Sequence, residues 1–135
     1  MKSEVSFTKA ERLCSHRLIE RLYAEGHRML EFPYSVQWLL VPAAESPCQV
    51  LIIAPKRKFR HAVDRNRVKR LTRECYRQKK SVLYTFLRNH NLSLVFSMVY
   101  IHNEIMPYDT LMKRMDKLIV KLQKEIADET GCTLA

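Results

Sequence analysis

The sequence contains few of the residues that build common catalytic and cofactor sites. It has two glycines, Gly26 and Gly131, which excludes a Gly-rich loop that cradles phosphates. The five histidines are scattered, without an HxxxH pair or a Cys-His cluster of zinc-site spacing. No nucleophile has a base nearby, and no two carboxylates pair on one predicted element. These absences predict that the protein alone holds no active site, metal or other cofactor and no small-molecule substrate.

Two further absences concern the compartment in which the chain works. The four cysteines form no CxxC pair, and we interpret them as free thiols in a reducing environment: Cys14, Cys48, Cys75 and Cys132. No apolar run reaches the length of about 18 residues that a membrane helix requires. The N-terminus lacks the apolar segment of a signal peptide. We therefore expect a cytoplasmic protein without a membrane span.

The positive charge of the chain is concentrated in one segment. The formal net charge is +10, and residues 56–80 hold twelve Lys or Arg against two acids. The rest of the chain holds twelve basic and twelve acidic residues, so it contributes no net charge. Such self-repulsion destabilises a fold unless an anion relieves it. We therefore name residues 56–80 the basic segment and expect it to bind a polyanion.

The periodicity of apolar residues predicts an α+β fold for the whole chain. One compact domain would span residues 1–135, with an ordered core of about 10–127 and frayed ends. The predicted order is α-β-β-(β)-α-β-α, with a small mixed four-stranded sheet packed against helices. The strand-helix-strand crossover runs through the basic helix, which implies at least one parallel pair of strands.

The boundaries of the individual elements are predicted less sharply. The first helix ends near Gly26, and begins after either a Thr8–Glu11 capping box or a Ser15 cap. Strands are predicted in "FPYSVQWLLVP", "CQVLIIAP" and "LSLVFSMVYI", and "AAESP" reads as a hairpin loop between the first two. Asp109 is a candidate cap for the last helix. The apolar stripe of that helix comprises Leu111, Met115, Leu118, Leu122 and Ile126.

The basic helix has two predicted faces. Val68, Leu71 and Cys75 form a narrow apolar seam. The opposite arc is cationic and comprises Arg65, Asn66, Lys69, Arg70, Arg73, Arg77 and Lys80, while Arg67 lies near the edge of the apolar seam. Like charges follow each other at a spacing of four, whereas a merely solvated face usually mixes signs. An acidic membrane is a rival anion, but a membrane helix carries bulkier apolar residues. The pattern favours phosphates of a nucleic acid.

The string "AVDRNRVKRLTRE" resembles the signature of the protein component of bacterial ribonuclease P. The resemblance extends over about residues 10–125 and includes the order of elements. It implies an accessory protein subunit of an endoribonuclease whose RNA subunit performs the chemistry with Mg²⁺. The expected partners are that RNA and precursor tRNA, whose 5′ leader is removed, and no protein oligomer is required.

The resemblance also assigns roles to individual residues. The positions expected to face the RNA subunit are Arg65, Asn66, Arg67, Lys69, Arg70 and Arg73. The positions expected near the leader are Tyr23, Tyr34, Arg57, Lys58 and His61. Aromatic rings at such positions can stack on unpaired bases. The chain departs from the family at Arg60-His61, where Gly-Asn is usual, and at Ile19, where an aromatic residue is usual.

Several alternatives remain open at this point. The same basic helix would serve a ribosomal or assembly protein that has no role in cleavage. An autonomous nuclease would need metal ligands that we do not find, and a duplex DNA reader would need a helix before the basic helix. Tyr34 and Trp38 fit either the core or an exposed cleft. Tyr76 lies on the cationic arc, where its ring would be able to stack on RNA.

Overall fold

A four-stranded mixed sheet organises the computed structural model, which describes residues 7–42 and 47–131. The strands are β1 (His27–Glu31), β2 (Tyr34–Val41), β3 (Cys48–Ile53) and β4 (Ser93–Tyr100). A short 3₁₀ turn, Lys9–Glu11, precedes three helices: α1 (His16–Glu25), α2 (Ala62–Asn89) and α3 (Tyr108–Thr130). Three strands therefore precede the basic helix α2, and the predicted α+β class and element order are confirmed.

The spatial order of the strands is β1-β2-β4-β3. β4 pairs antiparallel with β2 and parallel with β3, so the parallel pair predicted from the crossover through α2 is confirmed. The predicted hairpin between β2 and β3 is wrong, because β4 lies between them; residues 43–46 of its loop lie outside the described residues. β4 is an interior strand, and seven of its eight residues are buried, as expected for a strand covered on both faces.

One face of the sheet, the core face, packs against α2 and α3. Tyr34, Val36 and Trp38 alternate along β2 and all point into this core, as the period of two predicts. Trp38 is therefore a core residue, and its indole nitrogen donates to Glu125 Oε1 at 3.3 Å. Its ring stacks on the imidazole of His27. The contact joins β1 and β2 to the end of α3.

The second face of the sheet is covered only in part. Helix α1 crosses it and buries Leu22 against Val95 of β4, with Leu39 and Leu51 packed alongside. Beyond α1 this face is more polar, since Ser35 and Gln37 of β2 alternate with the core residues of that strand. Ser35 and Gln37 are only half-buried. The second face thus offers a partly open floor beside α1.

Both predicted caps near the N-terminus exist, but they start different elements. The Glu11 carboxylate accepts from the Thr8 amide at 3.3 Å and caps the short 3₁₀ turn. The Ser15 hydroxyl accepts from the amide of Leu18 at 3.3 Å and begins α1. Helix α1 ends before Gly26, where a Cβ would lie 2.3 Å from the carbonyl oxygen of Leu22. Glycine is therefore required there by the close approach of the backbone.

Helix α3 buries the whole predicted stripe from Leu111 to Ile126. The prediction that Asp109 caps this helix is wrong, because Pro107 occupies the cap position and Asp109 lies in the first turn. Its negative charge is still favourable there, near the positive end of the helix dipole. The helix continues to Thr130, beyond the predicted end of the ordered core near residue 127, and Ala127 is buried and packs in the core. Cys132 lies outside the described residues.

Candidate nucleic-acid interface

Helix α2 packs on the sheet through a seam slightly displaced from the predicted one. Val68 and Cys75 are buried, as predicted. Leu71 is only half-buried, whereas Thr72 is fully buried. Thr72 tolerates burial because its hydroxyl is hydrogen-bonded to the hydroxyl of Tyr34 at 2.8 Å. The opposite side of the helix faces away from the sheet.

The outward side of the first half of α2 carries the predicted cations. Asn66, Arg67 and Arg70 are exposed, and Lys69 and Arg73 are half-buried. Arg65 is also half-buried, because its Nη1 donates to the backbone carbonyls of Phe59 and Arg60, each at 2.9 Å. Arg65 therefore braces the loop before the helix, and the rest of its planar group remains available as donors.

The second half of α2 differs from the prediction in its cations. Lys80, predicted on the cationic arc, is only 2% exposed and donates to the carboxylate of Glu11. A helical wheel cannot reveal this partner, which is 69 residues away in sequence. Arg77 is half-buried and paired with Glu74, so it adds little to the positive surface.

Tyr76 was predicted to be available for stacking on RNA, and this is wrong. The ring is fully buried, in edge contact with Phe96 and Phe7. Its hydroxyl donates to that of Tyr84 at 3.3 Å and lies 3.4 Å from Cys48 Sγ. Burial raises the pKa of Tyr76, so the phenol stays neutral.

Tyr34 was predicted to lie near the leader, and its placement contradicts this. Its side chain is fully buried on the core face, with its ring in edge contact with Tyr100. A ring without an exposed face cannot stack on a base. The alternation along β2 sends Tyr34 to the same side as Val36 and Trp38, where α2 and α3 complete the core. Burial also raises the pKa of the Tyr34 phenol, which therefore remains neutral.

The other residues predicted near the leader are accessible. Tyr23, on α1, is 46% exposed. Arg57 and His61 are exposed and Lys58 is half-buried, all in the loop that leads from β3 into α2. His61 holds the N-cap position of α2 without a hydrogen bond from its side chain to the helix. These groups therefore remain available to a ligand.

A groove runs between α2, β3 and the segment before α1. Its volume is about 210 Å³. Two of the half-buried cations of α2, Lys69 and Arg73, line one side of it, and Arg12 lines the other. The remaining lining residues are largely apolar: Phe7, Leu13, Cys14, Val50, Leu51 and Ile52. A groove with cations above apolar walls suits a nucleic-acid strand, whose phosphates and bases need those two environments.

Sequence reasoning missed Gln37 as a candidate binding residue. Its side-chain nitrogen is buried yet has no hydrogen-bond partner among the described residues. Buried polar atoms are normally paired, and the half-buried side chain would have to turn outward for this nitrogen to meet an incoming acceptor. The available signal was the alternation itself, since residues that alternate with Tyr34 and Val36 must point to the second face.

The described residues hold no cluster of three or more His, Cys, Asp or Glu side chains arranged to bind a metal ion. Within the same residues, no helix has the length and apolar character needed to cross a bilayer. Cys14, Cys48 and Cys75 are free thiols. Burial raises the pKa of Cys48 to about 12 and that of Cys75 to about 11, so neither forms a thiolate readily.

Known protein structures share this fold. A ribonuclease P protein from Staphylococcus aureus superposes with a TM-score of 0.66 at 21% identity, covering 86% of this chain and 97% of that one. The ribonuclease P protein from Thermotoga maritima gives a TM-score of 0.65 at 19% identity, covering 82% of this chain and 96% of that one. At such identities the likeness establishes the fold.

The sequence comparisons establish the family. The ribonuclease P protein component of Porphyromonas gingivalis is 30% identical over 125 residues, which cover 90% of this chain and 91% of that protein. The homologue from Chlorobaculum tepidum is 39% identical over 69 residues, covering 48% of this chain and 45% of that protein. The sequence model of the family described as Ribonuclease P matches residues 7–123. The chain belongs to the ribonuclease P protein component family, whose members are part of an endoribonuclease complex.

Proposed function

We propose that this chain binds the catalytic RNA subunit of ribonuclease P and the 5′ leader of precursor tRNA, and so assists Mg²⁺-dependent removal of the leader. The observation that carries the proposal is the placement of the cations in the first half of α2. They lie on the outward side of the helix and along a groove beside it, without acidic partners among the described residues.

The outward side of α2 is the proposed contact with the RNA subunit. Arg67 and Arg70 are exposed three residues apart, so their guanidinium groups lie on one side of the helix. Each can donate two parallel hydrogen bonds to a phosphate. Asn66 lies beside them and can pair with a base edge or a ribose hydroxyl. Arg65 stabilises the loop from which this surface begins.

The groove and the open part of the second face are the proposed site for the leader. Lys69 and Arg73 would neutralise phosphates there, with Arg57, Lys58 and His61 near the entry to α2. The half-exposed ring of Tyr23 would stack on an unpaired base. Gln37 would donate from the floor of the sheet once its half-buried side chain turns outward. Tyr34 takes no part, because it is a core residue.

Mg²⁺ would act on the RNA rather than on a site in this chain. When bound, the ion supplies charge neutralisation and an activated water for cleavage of the phosphodiester. The protein would contribute by neutralising phosphates that the RNA otherwise shields with Mg²⁺, because both lower the same electrostatic repulsion. The protein would therefore lower the Mg²⁺ concentration at which the RNA cleaves.

Reconstitution tests this function directly. The purified chain is added to a bacterial ribonuclease P RNA, and removal of the leader is measured as Mg²⁺ is reduced. We expect cleavage at Mg²⁺ concentrations at which the RNA alone is inactive. Binding of the RNA without any gain in cleavage would favour a ribosomal or assembly protein, and cleavage by the chain in the absence of RNA would show an autonomous nuclease.

A further inference from the structure

The segment formed by residues 7–14, here called the strap, forms one wall of the groove and is fixed on two sides. On the sheet side, the amide of Leu13 donates to the carbonyl of Val50 at 3.0 Å, and Gln49 Nε2 donates to the carbonyl of Ala10 at 3.1 Å. On the helix side, Glu11 reaches α2 and meets Lys80. The strap thus joins the edge of β3 to the second half of α2.

The contact with α2 is a buried ion pair. Glu11 is 8% exposed and Lys80 is 2% exposed. The carboxylate of Glu11 also accepts from the hydroxyl of Tyr84 at 2.8 Å. Burial alone would raise the pKa of Glu11, but the hydrogen bonds from Lys80, Tyr84 and the Thr8 amide outweigh it and hold that pKa below its ordinary value. Glu11 is therefore ionised at neutral pH.

An ion pair of this kind is better suited to fixing one arrangement than to adding stability. Desolvation of two charges offsets much of their attraction, so apolar replacements of both partners are often as stable. Removal of only one partner, by contrast, leaves the other charge buried without its counter-charge, which is strongly destabilising. Loss of the Glu11 charge would therefore weaken the contact by which the strap packs on α2, where the centre of the Phe7 ring also lies 6.0 Å from Lys80 Nζ.

The position of the strap fixes the geometry of the groove. Arg12 and Leu13 follow Glu11 directly and line the groove opposite Lys69 and Arg73. The guanidinium of Arg12 lies 5.6 Å from the centre of the Phe7 ring, which itself packs edge-on against Tyr76. Displacement of the strap would therefore move one wall of the groove, together with one of its three cations.

We infer that Glu11 is a positioning residue for the leader: by pairing with Lys80, it docks the strap and sets the width of the groove that receives the single strand. The inference rests on the proposed binding of the leader in that groove. It assigns Lys80 a role distinct from that of the other cations of α2, since Lys80 would shape the site without touching RNA. Contact with the RNA subunit through Arg67 and Arg70 would not depend on the strap.

The test compares precursor and mature tRNA in the reconstituted holoenzyme. Glu11→Gln should weaken precursor affinity roughly fivefold to tenfold, the size expected for loss of about one phosphate contact. Affinity for mature tRNA and for the RNA subunit should not change. Asp128→Asn, an exposed carboxylate near the end of α3, makes the same change in net charge and should leave the precursor preference intact. General loss of folding would instead lower all three affinities together.

Hydrogen exchange provides a second readout. The amide of Leu13 should exchange faster in Glu11→Gln, because its bond to Val50 marks the docked strap. The double variant Glu11→Leu with Lys80→Met removes both charges and should restore slow exchange and the precursor preference. If Glu11→Gln lowers the global stability, this double variant still separates the role of the ion pair from a general loss of folding.

The inference is wrong if Glu11→Gln keeps slow exchange of the Leu13 amide, or if it frees that amide while the precursor preference persists. It is also wrong if the double variant restores slow exchange without restoring the preference, since Glu11 or Lys80 would then act in another way. A wild-type holoenzyme that does not prefer precursor over mature tRNA would contradict the proposed function instead. The exchange result would still decide whether Glu11 docks the strap.

Discussion

The two halves of helix α2 carry similar charges in different surroundings. Residues 62–73 hold five Lys or Arg and one acid, and residues 74–89 hold four Lys or Arg and one acid. In the second half, Arg77 pairs with Glu74, Lys79 pairs with Asp116 at 3.2 Å, and Lys80 pairs with Glu11. In the first half, none of the five cations has an acidic partner among the described residues.

The difference shows that charge density alone does not identify a binding surface. Helix α3 and the strap pack against the second half of α2, and each supplies a carboxylate that neutralises a lysine. Over the described part of the chain, the first half meets no carboxylate from either element and keeps its charge. The unpaired cations therefore leave a positive field over the first half of α2, whereas Lys79 and Lys80 join the second half to α3 and to the strap.

The largest expected effect comes from breaking the buried pair in the second half. Lys80→Met leaves the carboxylate of Glu11 buried without its cation, which should cost about 3–5 kcal/mol of the free energy of unfolding. Arg67→Met, in the exposed first half, should change it by less than about 0.5 kcal/mol. Urea denaturation of both variants measures the contrast. Similar losses for the two would show that the halves do not differ in this way.

The next largest effect concerns affinity for RNA, for which the first half of α2 should matter more than the second half. Replacing Arg67 and Arg70 together by alanine should lower affinity for the RNA subunit roughly thirtyfold at 0.1 M salt, and reduce the slope of log affinity against log salt by about 1.5–2, if each neutralises one phosphate. The measurement is a binding titration at several salt concentrations.

The matched control replaces Arg77 and Lys79 by alanine, which removes the same formal charge from the paired half. Because Glu74 and Asp116 already neutralise these cations locally, the slope should change by well under one unit. An equal change in both double variants would mean that the RNA responds to net charge and not to a located surface.

The contrast between the halves also shows which features of α2 could be predicted from the sequence and which could not. The buried positions Val68 and Cys75 and the cations opposite them follow from the helical period, because side chains 3.6 residues apart share a face. The partner of Lys80 does not follow, because Glu11 is brought to it only when the strap docks on β3 and α2. Pairing over long sequence distances depends on tertiary packing.

Tyr34 in β2 is a second position whose surroundings depend on tertiary packing. Alternation correctly grouped Tyr34 with Val36 and Trp38, but it could not say which face of β2 becomes the core. That choice depends on where α2 and α3 pack, and it places Tyr34 in the core and Gln37 on the second face. Likewise, the position of β4 between β2 and β3 depends on how the crossover returns to the sheet.

A smaller effect tests whether binding extends from α2 to α1. Tyr23→Ala should weaken precursor affinity by about 1 kcal/mol, at the lower end of the range for stacking because the ring is only half exposed. Mature tRNA, which lacks the leader, should bind as before. Tyr108→Ala is the matched control, since Tyr108 is similarly exposed but lies at the start of α3, away from the groove. Equal losses for precursor and mature tRNA would remove Tyr23 from the leader site.

The smallest expected effect is a pH dependence that belongs to the buried pair. Since the folded pKa of Glu11 lies below its ordinary value of 4.5, ionised Glu11 stabilises the fold fully above that value and progressively less as pH falls through the folded pKa. The difference in unfolding free energy between the wild type and Glu11→Gln should therefore be constant near neutrality and shrink below about pH 4.5. Glu74, whose pKa is also lowered by Arg77, is present in both proteins, so its contribution cancels.

Urea denaturation from pH 6 to acid pH measures the difference. A difference that grows as pH falls would mean that folding raises the pKa of Glu11, so that burial outweighs the hydrogen bonds from Lys80 and Tyr84.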